Sequence, residues 1–183
     1  MIKLEFIYVL MGVLTGGVAL INALDASNPR RVNNAAFWGI YSVSFLAGSY
    51  LPDFVNGCLV ILMVACVAIR GLGQGKADHM TVGEREASAR RWKNLLFVPA
   101  LTIPAVTMAG ALFLKDASLF GRTLVDPAQV TQVSLGIATL VALAVGMGML
   151  RPPAFAPLRE ARRLLDSVGW AAVLPQMLAS LGA

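Results

Sequence analysis

Long uncharged apolar runs alternate with short polar segments along most of the chain. The runs at residues 54–69 and 95–114 contain no charged residue, and they flank a polar segment at 70–94 that holds six Lys or Arg residues. A helix rises about 1.5 Å per residue, so it needs about 20 apolar residues to cross about 30 Å of hydrocarbon. The pattern therefore predicts a helical hairpin that crosses a membrane twice, with the polar segment on one surface.

The same pattern extends over the rest of the sequence and predicts an all-α, polytopic helical membrane protein. We expect a single membrane domain over residues 1–183 with five transmembrane helices, at about residues 6–24, 34–51, 54–70, 95–114 and 127–150. Trp38 and Tyr50 lie near the two ends of the second span, where aromatic side chains favour the lipid–water interface. A surface helix that ends near Trp92 is expected within the polar segment.

The last part of the chain does not follow the simple pattern. Residues 157–167 form an amphipathic segment that we expect to lie in the interface plane, with its apolar residues on one face (Leu158, Ala161, Leu164, Leu165) and its charged residues elsewhere (Arg159, Glu160, Arg162, Arg163). Residues 168–183 are uncharged but short for a span, and Pro175 interrupts them. They predict a re-entrant segment or a partial sixth span, as in a truncated chain or an edge that another chain covers.

Two features inside the spans allow alternative interpretations. Pro99 and Pro104 both fall in the fourth span, where proline removes a backbone donor, so the helix is either kinked or broken around a site. Gly12 and Gly16 have the spacing of a close helix contact, although glycine is also common in membrane helices. In the fifth span, Ser134 and two glutamines face other helices or lie at the interface.

The distribution of basic residues predicts the orientation. Segments 25–33, 70–94 and 151–167 together hold twelve Lys or Arg residues, and the opposite side holds three. Basic residues accumulate on the cytoplasmic side of membrane proteins. We therefore expect the N-terminus outside and the long polar segment in the cytoplasm.

Composition supports the membrane assignment and excludes several function classes. The chain is 57% hydrophobic and 14% charged, with a mean hydropathy of +0.72. Its net charge of +5 does not indicate nucleic-acid binding, because the basic residues lie between apolar runs. Cys58 and Cys66 are expected to act as small hydrophobic residues, and His79 has no neighbouring ligand, so no metal is expected. No catalytic constellation or cofactor motif is present, which argues against an enzyme.

Several segments resemble one bacterial inner-membrane family, long known as a domain of unknown function and now named as a subunit of a two-subunit pyroglutamate (5-oxoproline) transporter. The resemblance covers essentially the whole chain and is carried by these residues: 28–31 (NPRR), 37–39 (FWG), 44–48 (SFLAG), 51–52 (LP), 84–90 (EREASAR), 97–101 (FVPAL) and 163–178 (RLLDSVGWAAVLPQML). Members of that family continue through more spans, so this chain resembles their N-terminal portion.

The resemblance implies a permease subunit in the bacterial inner membrane that works with a second membrane subunit and imports a small cyclic carboxylate. Helix ends and nearby polar groups would then meet the solute, and the expected substrate-binding residues are Thr102, Pro104, Pro175, Gln176 and Ser180. The alternative is a membrane scaffold or assembly partner that does not transport. In that case, the surface segment at 76–93 would be the docking element.

Overall fold

The structure is a computed structural model that describes residues 4–73, 82–115, 118–119, 122–169, 171 and 174. Its α-helices are α1 (Glu5–Leu24), α2 (Arg31–Ala47), α3 (Asp53–Arg70), α4 (Val82–Trp92), α5 (Phe97–Phe113), α6 (Val130–Leu150) and α7 (Ala156–Val168). Short 3₁₀ helices at Gly48–Tyr50 and Lys93–Leu96 follow α2 and α4. Strands β1 (Ser118–Leu119) and β2 (Arg122–Thr123) form a two-residue antiparallel pair. Each of the five predicted spans therefore contains a helix.

Four helical segments in the described part of the chain are long and apolar enough to cross a membrane. They are Glu5–Leu24, Asp53–Arg70, Glu86–Phe113 and Val130–Leu150, where the third joins α4, the 3₁₀ turn and α5. Helix α2 has 17 residues and is shorter than these. The structure thus confirms a helical protein with several potential spans. The count of five spans and the partial or re-entrant sixth stay predictions.

The chain forms two compact units, which we describe separately. Unit one comprises residues 1–7 and 79–153, and unit two comprises residues 8–78 and 154–183. In unit one, α5 and α6 pack in antiparallel fashion, because Gly110 lies against Ser134 while Gly146 lies against Pro99. Ser134 is 1% exposed and therefore faces another helix, the first of the two alternatives for this residue.

The prolines of the fourth span do not break α5. Pro99 occupies the first turn, where its missing N–H would have had no partner within the helix. Pro104 lies inside α5, and the helix continues through it from Phe97 to Phe113. The broken-helix alternative is therefore wrong for this segment.

The next helix begins later than predicted, because its expected first turn is a separate turn. The carboxylate of Asp126 accepts a hydrogen bond from the backbone N–H of Ala128 at 3.0 Å. The backbone carbonyl of Asp126 accepts one from the N–H of Gln129 at 2.8 Å. This side-chain-to-backbone bond stabilises a turn in place of a helix. Helix α6 starts at Val130.

In unit two, α1 and α2 approach closely at small residues. A Cβ atom added at Gly12 would lie 2.5 Å from Leu46 Cγ, and one at Gly16 would lie 2.9 Å from Ser42 Oγ. The Ser42 hydroxyl donates a hydrogen bond to the Gly12 carbonyl at 2.7 Å. The interpretation of Gly12 and Gly16 as a close helix contact is confirmed.

The core of unit two is aromatic and includes Trp38, for which the sequence predicts a position at the lipid–water interface. Val18, Phe37, Trp38, Tyr41 and Met63 are buried together. Trp38 is fully buried and packs edge-on against Phe37, with 4.9 Å between the ring centroids. The interfacial position predicted for Trp38 is wrong, because the ring faces the helices of its own unit.

Candidate functional site

Buried polar and charged side chains gather at one end of unit two, where α1 ends, α2 begins, α3 ends and α7 packs. We call this group the polar cluster; its members are Asn22, Asp25, Asn28, Asn34, Arg162 and Asp166. The three asparagines are at most 1% exposed. Burial of polar and charged groups costs free energy unless hydrogen bonds or ion pairs compensate for the lost hydration.

The turn after α1 is built from its own side chains. The carboxylate of Asp25 accepts hydrogen bonds from the backbone N–H of Ser27 at 2.9 Å and from its hydroxyl at 2.6 Å. The side-chain oxygen of Asn28 accepts a bond from the Arg30 N–H at 2.8 Å. Asp and Asn favour such turns because their short side chains reach the backbone two residues ahead. The turn thereby places Asp25 and Asn28 beside the start of α2.

Asparagine side chains fix residues 71–73 against α2. Asn34 donates to the Gly73 carbonyl at 2.6 Å and accepts from the Gly73 N–H at 2.9 Å, while Asn28 donates to the same carbonyl at 3.0 Å. A Cβ atom at Gly73 would lie 2.6 Å from Asn28 Oδ1, so the site requires glycine. Asn33 donates to the carbonyls of Cys66 and Gly71 and so satisfies the C-terminal end of α3.

Asp166 joins three helices at the centre of the polar cluster. Its Oδ1 accepts hydrogen bonds from Asn22 Nδ2 of α1 at 3.4 Å and from Trp38 Nε1 of α2 at 3.3 Å. Its Oδ2 accepts one from Arg162 Nε of α7 at 3.3 Å. Asn22 in turn accepts from Asn34 at 3.3 Å. A chain of hydrogen bonds therefore runs from α7 to residues 71–73.

Arg162 bridges the two carboxylates. Its Nη2 pairs with Asp25, and its Nε pairs with Asp166. The side chains of Arg162 and Asp25 are each 15% exposed, and that of Asp166 is 7% exposed. One guanidinium therefore serves two largely buried carboxylates, which gives the three residues a formal charge of −1.

The two carboxylates have opposite pKa shifts. Hydrogen bonds from Ser27 and Arg162 lower the pKa of Asp25 to about 2. Burial raises the pKa of Asp166 above its ordinary value, although Arg162, Trp38 and Asn22 all favour its ionised form. Short hydrogen bonds stabilise the ionised form of Asp25 and lower its pKa. At Asp166, the loss of hydration on burial outweighs the hydrogen bonds and raises the pKa.

The structure corrects the predicted faces of α7. Arg162 lies on the same side as Leu158, Ala161 and Leu165, which pack against the core of unit two. Leu164, predicted on the apolar face, is 55% exposed. The sequence does contain a signal for this inward face. Leu158, Arg162 and Asp166 are spaced four residues apart, which places an Arg–Asp pair on the same side of the helix as the apolar residues. That α7 lies in the interface plane stays a prediction.

The predicted substrate-binding residues are not brought together in the described part of the chain. Thr102 donates its hydroxyl to the Val98 carbonyl of its own helix at 2.8 Å, and Pro104 lies within the continuous helix α5. Both belong to unit one. Pro175, Gln176 and Ser180 lie outside the described residues. Sequence reasoning gave the polar cluster no role, because its charged members come from segments that had been assigned to turns and surfaces.

Metal and thiol chemistry receive no support from the described residues. Among them, no three His, Cys, Asp or Glu side chains form a group that could hold a metal ion. Cys58 and Cys66 are free thiols and half-buried. His79 lies outside the described residues.

The four long apolar helical segments of the described residues fit a multi-pass membrane protein. Residues 5–183 match the family described as "Protein of unknown function (DUF979)", and the chain belongs to that family. None of the curated proteins or solved structures matches the chain.

Proposed function

We propose that this protein is a subunit of a secondary transporter that imports a small organic anion. By resemblance, the solute is pyroglutamate (5-oxoproline), the location is the bacterial inner membrane, and a second membrane subunit completes the permease. The observation that carries the proposal is the burial of Arg162 with two carboxylates at the end of a bundle of apolar helices. A buried carboxylate with a perturbed pKa and a specific charge partner is a candidate functional site.

The energetics of the polar cluster support a functional interpretation. Buried ion pairs seldom stabilise a protein more than well-packed apolar residues of similar volume, because charges lose hydration when they are buried. A protein that needed only a stable helix contact would be served by apolar side chains at Arg162 and Asp166. A conformational cycle, in contrast, benefits from contacts that can break and re-form as charges change.

The hydrogen-bonding capacity of the predicted substrate residues indicates which of them could bind a carboxylate. A carboxylate needs hydrogen-bond donors, and the Thr102 hydroxyl already donates to Val98. Pro104 has no N–H and therefore cannot donate to the Ala100 carbonyl or to a carboxylate. Gln176 and Ser180 have donors that suit a carboxylate. We propose these two residues, rather than Thr102, for contacts with the solute carboxylate.

Uptake of labelled pyroglutamate tests the proposal directly. Cells that lack the gene would be complemented, in the presence of the second membrane subunit, with the wild-type chain, Arg162→Gln or Arg163→Gln. The proposal predicts that the wild type and Arg163→Gln restore uptake, whereas Arg162→Gln does not at equal membrane abundance. Arg163 is the matched control because it is 46% exposed and pairs with the exposed Glu160 on the same helix.

The second candidate is a membrane scaffold that docks a partner through α4. This helix exposes an ion pair between Glu86 and Arg90, and Arg91 lies over the ring of Trp92. Uptake that is unchanged by deletion of the gene would favour the scaffold. Replacement of Glu86 and Arg90 by alanine would then release a co-purifying membrane partner, and the transporter proposal predicts that it would not.

A further inference from the structure

Asp166 occupies an unusual electrostatic position in the polar cluster. Its side chain is 7% exposed, and its three donors lie at 3.3 to 3.4 Å. Hydrogen bonds from N–H donors to oxygen are typically about 2.7–3.2 Å, and those from Arg to a carboxylate about 2.7–2.9 Å. The long donor distances therefore offset only part of the hydration that Asp166 loses.

The charges around Asp166 do not balance. From α7 it faces Arg162, from α1 Asn22, and from α2 Trp38, while residues 71–73 bring no titratable side chain. Arg162 is shared with Asp25, so these three residues together carry two negative charges and one positive charge. One bound proton would make the group neutral.

The geometry also indicates which carboxylate takes the proton. Asp25 is bound by the Ser27 N–H at 2.9 Å, by the Ser27 hydroxyl at 2.6 Å, and by Arg162. These donors stabilise its ionised form and leave Asp166 as the less stabilised of the two anions. A proton that enters the polar cluster therefore resides on Asp166.

We propose that Asp166 is a proton-binding site and that a proton bound there strengthens the docking of α7 onto α1 and α2. This inference concerns the folded chain itself and does not require that the chain transports anything. If the chain is a transporter subunit, which is the function proposed above, the proton becomes the coupling ion.

The direction of the effect follows from linkage. When α7 is docked, burial raises the pKa of Asp166, and when α7 is released, the side chain meets water and its pKa returns to the ordinary value of about 3.9. The proton therefore binds the docked state more tightly. Docking is favoured in full below about pH 3.9 and weakens as pH rises through the docked-state pKa, by about tenfold per unit of pKa difference. Asp25 acts oppositely, since its lowered pKa weakens docking as pH falls toward about 2.

Fluorescence of Trp38 provides the test, because its Nε1–H donates directly to Asp166. The full chain with Trp92→Phe and Trp170→Phe keeps Trp38 as its one tryptophan and would be titrated from pH 4 to 9 in detergent. We expect an emission transition with a midpoint above that of an exposed aspartate. Asp166→Asn should abolish it, and Glu160→Gln, an exposed change on the same helix, should leave it unchanged.

A second variant tests the charge count. In the Asp25→Asn variant, Arg162 pairs with Asp166 alone and stabilises its ionised form more strongly. The midpoint of the emission transition should therefore move to lower pH. An absent transition, a transition that survives Asp166→Asn, or a midpoint that Asp25→Asn leaves unchanged or raises would each overturn the proposal.

Hydrogen exchange on the unsubstituted chain keeps the proposal testable if a variant fails to fold. After correction for intrinsic rates, the α7 amides should open more often at pH 8 than at pH 5, whereas the amides of α5 should not change. Equal opening of α7 at the two pH values would refute the link between the proton and docking.

Discussion

Replacing Arg162 is the most informative perturbation of the polar cluster. Arg162→Gln removes the positive charge that pairs with both Asp25 and Asp166, whose side chains are 15% and 7% exposed. Removal of one partner from a buried ion pair typically costs about 3–5 kcal/mol. Asp25 still reaches some water, and Asp166 can take up a proton, so we expect about 3 kcal/mol at pH 8, the lower end of that range.

The matched control lies one residue further along α7. Arg163 pairs with Glu160, and the two side chains are 46% and 59% exposed, so Arg163→Gln should cost about 0–1 kcal/mol. Unfolding by dodecyl sulfate in mixed micelles, followed by helical circular dichroism, would give both free energies. If the two variants differ by less than about 0.5 kcal/mol, Arg162 is not the counter-ion that the structure describes.

Further predictions concern glycine packing and acid stability. Gly110→Ala should destabilise the protein by about 1–3 kcal/mol, because its Cβ would lie 2.6 Å from Ser134 Oγ, whereas Gly57→Ala, with open space around it, should stabilise by roughly 0.5–1 kcal/mol. Melting temperatures of the two variants check this, and equal shifts would contradict the α5–α6 contact. The wild type should lose stability as pH falls from about 4 toward about 2, and Asp25→Asn should show a smaller loss, as measured by melting temperature against pH.

The helices could be predicted from the sequence because each long uncharged run has few alternatives. The first, third, fourth and fifth predicted spans start and end within three residues of α1, α3, α5 and α6. The sequence pattern defines the second span less clearly, because one face of α2 packs within its own unit and buries Asn34, Trp38 and Ser42. Hydropathy alone does not tell such a face from one that meets lipid.

The polar cluster could not be predicted, because its members are far apart in the sequence and each has an ordinary local explanation. In the sequence, Asp25 is typical of a turn, and Arg162 and Asp166 are typical of the charged side of an amphipathic helix. Only the packing of α7 shows that Arg162 and Asp166 face the other helices of unit two. For Pro104, the pattern allowed a kink or a break, and in the structure the helix continues through this residue.

The central claim of this account is that lipid covers the apolar helices, and the topology of α5 tests it most directly. Helix α5 (Phe97–Phe113) separates residue 85 from residue 118 and has large exposed apolar side chains such as Leu101, Leu112 and Phe113. Reporter domains would be fused after residues 85 and 118 in separate chains. The account predicts a cytoplasmic signal at 85 and an external signal at 118; signals from the same compartment would contradict it.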